Sequence, residues 1–144
     1  MRVATILGQK GSTVATIRAE STLAEAAAEL RLRGVGALVV SSDGRTIEGI
    51  MSERDVVRRL AERGEGALGE PVGSFMTREV RTCGPNDTCD ELMVTMTEHR
   101  MRHLPVVIDG ALSGIVSIGD IVKARVGELE AEARTLHDYI TTGR

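Results

Sequence analysis

The apolar positions change period along the chain, and each change marks an element. From Thr22 to Arg33 the sequence TLAEAAAELRLR sets Leu23, Ala26, Ala27, Leu30 and Arg33 at helical spacing. Ser21 or Thr22 is available as N-cap, Glu25 completes a capping-box pattern, and Gly34 stops the helix. Ala37 to Ser41 is then a continuous run of β-branched and small residues, Asp43-Gly44 signals a turn, and Thr46 to Met51 is a second β run, so a hairpin-like strand pair is expected. Ser52 caps a further helix reaching to about Arg63, after which Gly64, Gly66, Gly69 and Pro71 break the chain. The same order then returns. Thr88 to Arg100 reads as a helix, Leu104 to Asp109 and Ala111 to Ser117 as strands, and Ile118 onward as a second helix.

This recurrence extends to the residues themselves. Gly49-Ile50-Met51-Ser52-Glu53-Arg54-Asp55-Val56 is answered 65 positions on by Gly114-Ile115-Val116-Ser117-Ile118-Gly119-Asp120-Ile121. Val3-x-x-Ile6-Leu7 is echoed by Val72-x-x-Phe75-Met76, and the short strand Val14 to Ile17 by Val80 to Cys83. Ala37-Leu38-Val39-Val40 falls opposite Leu104-Pro105-Val106-Val107 in this alignment, and Asp43-Gly44 opposite Asp109-Gly110. The fold class is therefore expected to be α+β (α/β-like), a unit of order β-α-β-β-α written twice. Residues 1–69 form the first repeat, 70–126 the second, and 127–144 a C-terminal helical extension. Each repeat alone would be marginal in size, so the two are expected to share one core.

Composition narrows the function classes. Eighteen Lys and Arg against 21 Asp and Glu give a net charge of −3 with no long run of one sign. With one Tyr and one Phe there is neither an electrostatic footprint for duplex nucleic acid nor a stacking platform for single strands. No apolar run is long enough for a membrane span and no signal-peptide pattern is present, so a cytoplasmic protein is expected. Cys83 and Cys89 lack metal-ligand spacing and read as small buried hydrophobes; Cys89, just inside a helix start, is the one candidate for thiol chemistry. His99, His103 and His137 share no ligand spacing with them, and no Ser-His-Asp or P-loop pattern occurs, so an enzyme is not expected.

The last helix is longer than its counterpart. Val122, Val126, Leu129, Ala133, Leu136 and Ile140 fall at alternating spacings of four and three, a heptad-like stripe. It suits either folding back on its own domain or pairing with the same helix of a second subunit, a homodimer.

Each copy of the repeated phrase leads from a strand through a serine into a helix start with an aspartate three positions on. Free amides and the helix dipole there favour a phosphate oxygen. Ser52 and Ser117 would add their hydroxyls, and the carboxylates of Asp55 and Asp120 can each accept two hydrogen bonds, as the paired hydroxyls of a ribose require. The bland alternative is a capping box in each half. Cations near the phosphates would come from Arg54 in the first half and Arg102 or His103 in the second, where Gly119 stands opposite Arg54. His103 equally suits a satisfied, half-buried histidine.

The doubled Gly-Ile-h-Ser-x-x-Asp, together with Arg102-His103-Leu104-Pro105-Val106-Val107, resembles the CBS-domain family over residues 1 to 126. That resemblance implies a tandem pair, the Bateman module, packed about a pseudo-twofold axis with two clefts that bind AMP, ADP, ATP, NAD or S-adenosylmethionine. By the same resemblance Asp55 and Asp120 hold ribose, Gly36-Ala37 and His103-Leu104-Pro105 reach the purine edge, and Thr16 and Thr82 border the base. Because Pro105 falls opposite Leu38 in the alignment, the Ser117–Asp120 cleft is expected to be the better site. The leading reading is a non-catalytic regulatory sensor of adenine nucleotides acting on a separate, unidentified protein. The alternative is a dimeric interaction scaffold with weak or unused clefts.

Overall fold

The computed structural model describes residues 1–142. In chain order the elements are α1 (Val3–Lys10), β1 (Thr16–Ile17), α2 (Leu23–Arg33), β2 (Ala37–Val40), β3 (Gly49–Ser52), α3 (Glu53–Arg63), α4 (Cys89–Glu98), β4 (His103–Ile108), β5 (Ala111–Ser117) and α5 (Ile118–Thr142), with 3₁₀ turns at Gly64–Gly69 and Val72–Ser74. Strands β1, β2 and β3 form one sheet, β1 parallel and β3 antiparallel to β2, while β4 and β5 form an antiparallel pair. The architecture is the expected α+β repeat with an extended terminal helix.

Local chemistry accounts for the element ends. The Thr22 and Thr88 hydroxyls accept from the Glu25 and Glu91 amides at 3.1 and 3.2 Å, capping α2 and α4. Helix α2 ends at Gly34 with φ +64°, where the Val35 amide reaches back to Leu30 O at 3.1 Å. Helix α4 ends the same way, with Met101 N donating to Met96 O at 3.1 Å, but the left-handed residue is Arg100 at φ +51°. A non-glycine residue there costs about 1–2 kcal/mol.

The second hairpin turns through Asp109 and Gly110, both at positive φ, in a two-residue loop. In the first, the expected strand from Thr46 begins only at Gly49. Asp43 accepts from the Thr46 and Arg45 amides at 2.7 and 2.8 Å and from the Thr46 hydroxyl at 3.0 Å, so those donors are spent within the loop.

The strand expected at Val80 to Cys83 is a single parallel bridge, Cys83 to Val106. Pairing His103 with Ser117 and Ala37 with Ser52 makes Pro105 the counterpart of Val39, not of Leu38 as the sequence alignment had it. Val39 donates its amide to Ala15 O at 3.1 Å. Proline has no such donor, so the equivalent bond to residue 81 cannot form and the strand shortens.

The buried apolar residues fall into two clusters rather than one shared core. Ile17, Ala26, Leu30, Leu38, Val40 and Met51 pack with Val72, against which Phe75 and Met76 also lie. Cys83, Cys89, Leu92, Met96, Leu104, Val106, Val116, Ile121 and Ala124 pack with Val3 and Ile6, with Leu7 against them. Each cluster is completed by the segment that precedes the other repeat. Backbone bonds repeat the exchange: Val72 N to Ser21 O at 2.7 Å and Gly73 N to Ala19 O at 2.9 Å on one side, Val3 N to Asp87 O and Ala4 N to Pro85 O, both 2.9 Å, on the other.

The leading glycine of each repeated phrase sits where the exchanged segment crosses. A β-carbon on Gly49 would lie 2.6 Å from Met76 Sδ and 2.9 Å from the Thr77 carbonyl oxygen; one on Gly114 would lie 2.7 Å from Leu7 Cδ2. Gly49→Ala is expected to destabilise the fold by about 1–3 kcal/mol in denaturant unfolding, and Gly114→Ala by less, because a leucine side chain can shift where a carbonyl cannot. Equal losses would contradict this ranking.

Candidate functional site

A cleft of about 410 Å³ lies between the two halves. One wall is the first half's repeated phrase, Ile50 to Asp55 with Arg58, beside Gly36 and Ala37 at the start of β2. The other wall is the crossing segment Thr77, Glu79, Val80 and Arg81 together with the loop His99 to His103 between α4 and β4. The segment enters along β3, where Ile50 and Thr77 exchange two backbone bonds of 3.0 and 2.9 Å.

At the floor, Asp55 Oδ2 accepts from the Ser52 amide at 2.8 Å and from its hydroxyl at 3.3 Å. Asp55 Oδ1 has Arg58 at 3.6 Å, and the half-buried residue lines the cleft. Glu53 N donates to Gly36 O at 3.0 Å, tying the helix start to the strand beside it. A β-carbon on Gly36 would meet the flexible end of Glu53, Oε1 at 2.7 Å, and the His103 ring at 3.2 Å.

The second phrase is built alike and filled differently. Asp120 Oδ2 accepts from the Ser117 amide at 2.9 Å, and the Ser117 hydroxyl accepts from the Asp120 amide at 3.1 Å, the capping box that the spacing allowed. Lys10, at the end of α1, donates its ammonium to the same Asp120 Oδ2 at 2.7 Å and to Ile115 O at 3.0 Å. Burial pushes the Asp120 carboxyl up, but the Lys10 and Ser117 bonds outweigh it and hold the group below the usual carboxylate range.

Residues 11–62 and 72–127 each match the CBS domain. The chain belongs to the CBS-domain family. It is 37% identical over 128 residues to the CBS domain-containing protein CBSX3, mitochondrial, of Arabidopsis thaliana, covering 86% of this chain and 62% of that protein, less than two thirds of its length. Among solved structures it is similar to the CBS-domain containing protein ATU1752 from Agrobacterium tumefaciens, with TM-score 0.85 and 42% identity over 87% of this chain and 99% of that one. It is also similar to the CBS domain protein PAE2072 from Pyrobaculum aerophilum, which was solved complexed with AMP, with TM-score 0.74 and 27% identity over 83% and 89% of the two chains.

Of the CBS residues singled out from sequence, Gly36, Ala37, Ser52, Arg54, Asp55, Arg102 and His103 come together in the one cleft. Ser117 and Asp120 stand apart from it at the Lys10 contact, and Leu104 and Pro105 are buried within the second pair of strands. Thr16 pairs with Val39 in β1, and Thr82 is exposed one residue beyond Arg81. Burial lowers the pKa of His103, Lys10 and Arg102 add to that, and Asp120 and Glu53 oppose it. Burial likewise pushes the Cys83 thiol up to about 12 and raises that of Cys89.

The sequence reading missed Arg58, Arg81, Arg100 and the crossing residues Thr77 and Glu79. Arg58 was signalled by its place one helical turn after Arg54. The crossing residues were signalled only by the echo of Val3-x-x-Ile6-Leu7 in Val72-x-x-Phe75-Met76, which does not say which half each segment joins. Among the described residues no helix is long and apolar enough to cross a membrane.

Replacing Lys10 by Met is expected to destabilise the protein by about 1 kcal/mol at pH 7, since both charges are partly exposed. A carboxylate with a lowered folded-state pKa stabilises above its unfolded value near 4 and loses that contribution as the pH falls through its folded value. The difference between wild type and Lys10→Met should therefore shrink below about pH 4 in pH-dependent unfolding. A constant difference down to full acid denaturation would remove the ion pair as its cause.

Proposed function

We propose that this chain is a non-catalytic, cytoplasmic regulatory module that binds one adenosine-containing nucleotide (AMP, ADP, ATP or NAD) in the cleft headed by Ser52 and Asp55. The observation that carries the reading is the meeting, in about 410 Å³, of a helix start with its serine, a half-buried aspartate, and the Gly36–Ala37 backbone at the start of the neighbouring strand. The volume lies within the roughly 300–1,000 Å³ of small-molecule sites. The AMP complex of the Pyrobaculum relative supports the ligand class. Asp55 would take the ribose hydroxyls, the Gly36–Ala37 backbone the purine edge, and Ser52 with Arg54 a phosphate. Because the walls come from different halves, a ligand that touches both favours one packing of the halves over others, and that differential affinity is what an unidentified downstream protein would read.

The Ser52–Asp55 cleft is preferred over the Ser117–Asp120 cradle because Lys10 already satisfies Asp120. Titration calorimetry is expected to give one nucleotide per chain, with Asp55→Asn weakening binding roughly tenfold or more and Asp120→Asn nearly without effect. Loss of binding on Asp120→Asn alone would reverse the assignment, and no binding of any of the four nucleotides below the millimolar range would end it.

A second reading, self-association through the terminal helix, has its own support. Beyond Gly127 the helix does not fold back: Leu129, Leu136 and Ile140 are 48%, 62% and 74% exposed, and Val122 and Val126 extend the same stripe. A d/a seam open along its length fits a second copy of the same seam. Sedimentation of a chain truncated after Gly127 is expected to shift a dimer to a monomer. Unchanged association would place the contact elsewhere.

A further inference from the structure

Five arginines surround the cleft: Arg54 and Arg58 on α3, Arg81 on the crossing segment, and Arg100 and Arg102 on the loop between α4 and β4. They outnumber the carboxylates that line it, Glu53, Asp55 and Glu79, although the whole chain carries a net charge of −3. Among the described residues Arg54, Arg81, Arg100 and Arg102 pair with no carboxylate. One phosphate group at the Ser52 helix start meets Arg54 and leaves the arginines of the opposite wall without a counterion. Guanidiniums on two facing walls repel one another, and an anion long enough to lie between them removes that repulsion.

Arg100 makes the same point through the backbone. It occupies the left-handed position that closes α4, and the equivalent position closing α2 is Gly34. Glycine serves that position without strain, so the arginine there is unfavourable for folding, and Arg100 is one of the residues that line the cleft.

We infer that the cleft is selective for a nucleotide with an extended phosphate chain, a nucleoside di- or triphosphate, over a monophosphate or an uncharged nucleoside. This rests on the nucleotide reading of the same cleft and names its ligand class more narrowly. The chain would start at Ser52 and Arg54 and run toward Arg81, Arg100 and Arg102, so that its terminal phosphates bridge the two halves. Each charge-assisted contact adds affinity and adds to its decline with salt.

The test is calorimetric titration of the full chain, in magnesium-free buffer at two salt concentrations, with ATP, AMP, adenosine and inorganic tripolyphosphate. ATP is expected to bind roughly tenfold or more tightly than AMP, with the steeper loss of affinity on adding salt. Arg100→Gly is expected to lower ATP affinity roughly tenfold, to leave AMP within about threefold, and to leave the thermal midpoint unchanged or higher, so that weaker binding is not a folding defect. Arg81→Gln should lower ATP affinity without the gain in stability. AMP and ATP binding equally, or an ATP-to-AMP ratio unmoved by Arg100→Gly, overturns the phosphate-chain inference and leaves the nucleotide reading standing. Tripolyphosphate binding while ATP, AMP and adenosine do not compete with it supports the anion bridge and overturns the nucleotide reading. No binding by any of the four overturns both.

Discussion

Everything in this molecule depends on a close crossing: the segment ahead of each repeat runs over the first strand residue of the other repeat's signature phrase. At Gly49 the crossing chain is Met76-Thr77, and at Gly114 it is Leu7. At Gly49 the near atoms include a carbonyl oxygen that cannot yield, at Gly114 only a leucine side chain, and the exchanged backbone bonds at Ser21 and Asp87 hold the two segments in reciprocal register. Each hydrophobic cluster is then incomplete without a piece donated from the other side. Two units that would each be marginal in size are thereby made interdependent, by reciprocal donation rather than by one continuous core.

The crossing also decides where chemistry can happen. Both halves offer a strand, a serine and an aspartate in the same geometry, with Ser52 N and Ser117 N donating to Asp55 and Asp120 at 2.8 and 2.9 Å. What differs is the chain that passes over them. Over the first phrase it is the irregular run from Thr77 to Arg81, which forms one side of a cleft; over the second it is the end of a helix, whose lysine is bonded to the aspartate. Duplication of the motif thus did not duplicate its surroundings, because the motif supplies only half of them.

Charge is distributed with the same asymmetry. A chain with excess acid overall gathers five guanidiniums around one cleft, three of them contributed by the second half to a site whose helix start belongs to the first. Holding Arg100 in a left-handed backbone conformation is unfavourable locally, and burial lowers the pKa of the half-buried His103 in the same lining.

Period and punctuation along the chain were sufficient for the repeat, the helices α2, α3, α4 and α5, the hairpins and the family, because those features depend on neighbours within a few residues. The serine and aspartate of each phrase were legible for the same reason. The register of β4 against β2 was not. Aligning by similarity set Pro105 against Leu38, whereas cross-strand pairing sets it against Val39, and a slip of one residue exchanges the two faces of a strand. Nor could the sequence say that residues 3–10 pack in the second half, that Lys10 answers Asp120, or that Arg81 and Arg100 line one cleft with Arg54. Those are contacts between segments tens of residues apart, set by how closely two backbones approach at Gly49 and Gly114, and only the tertiary structure contains that distance.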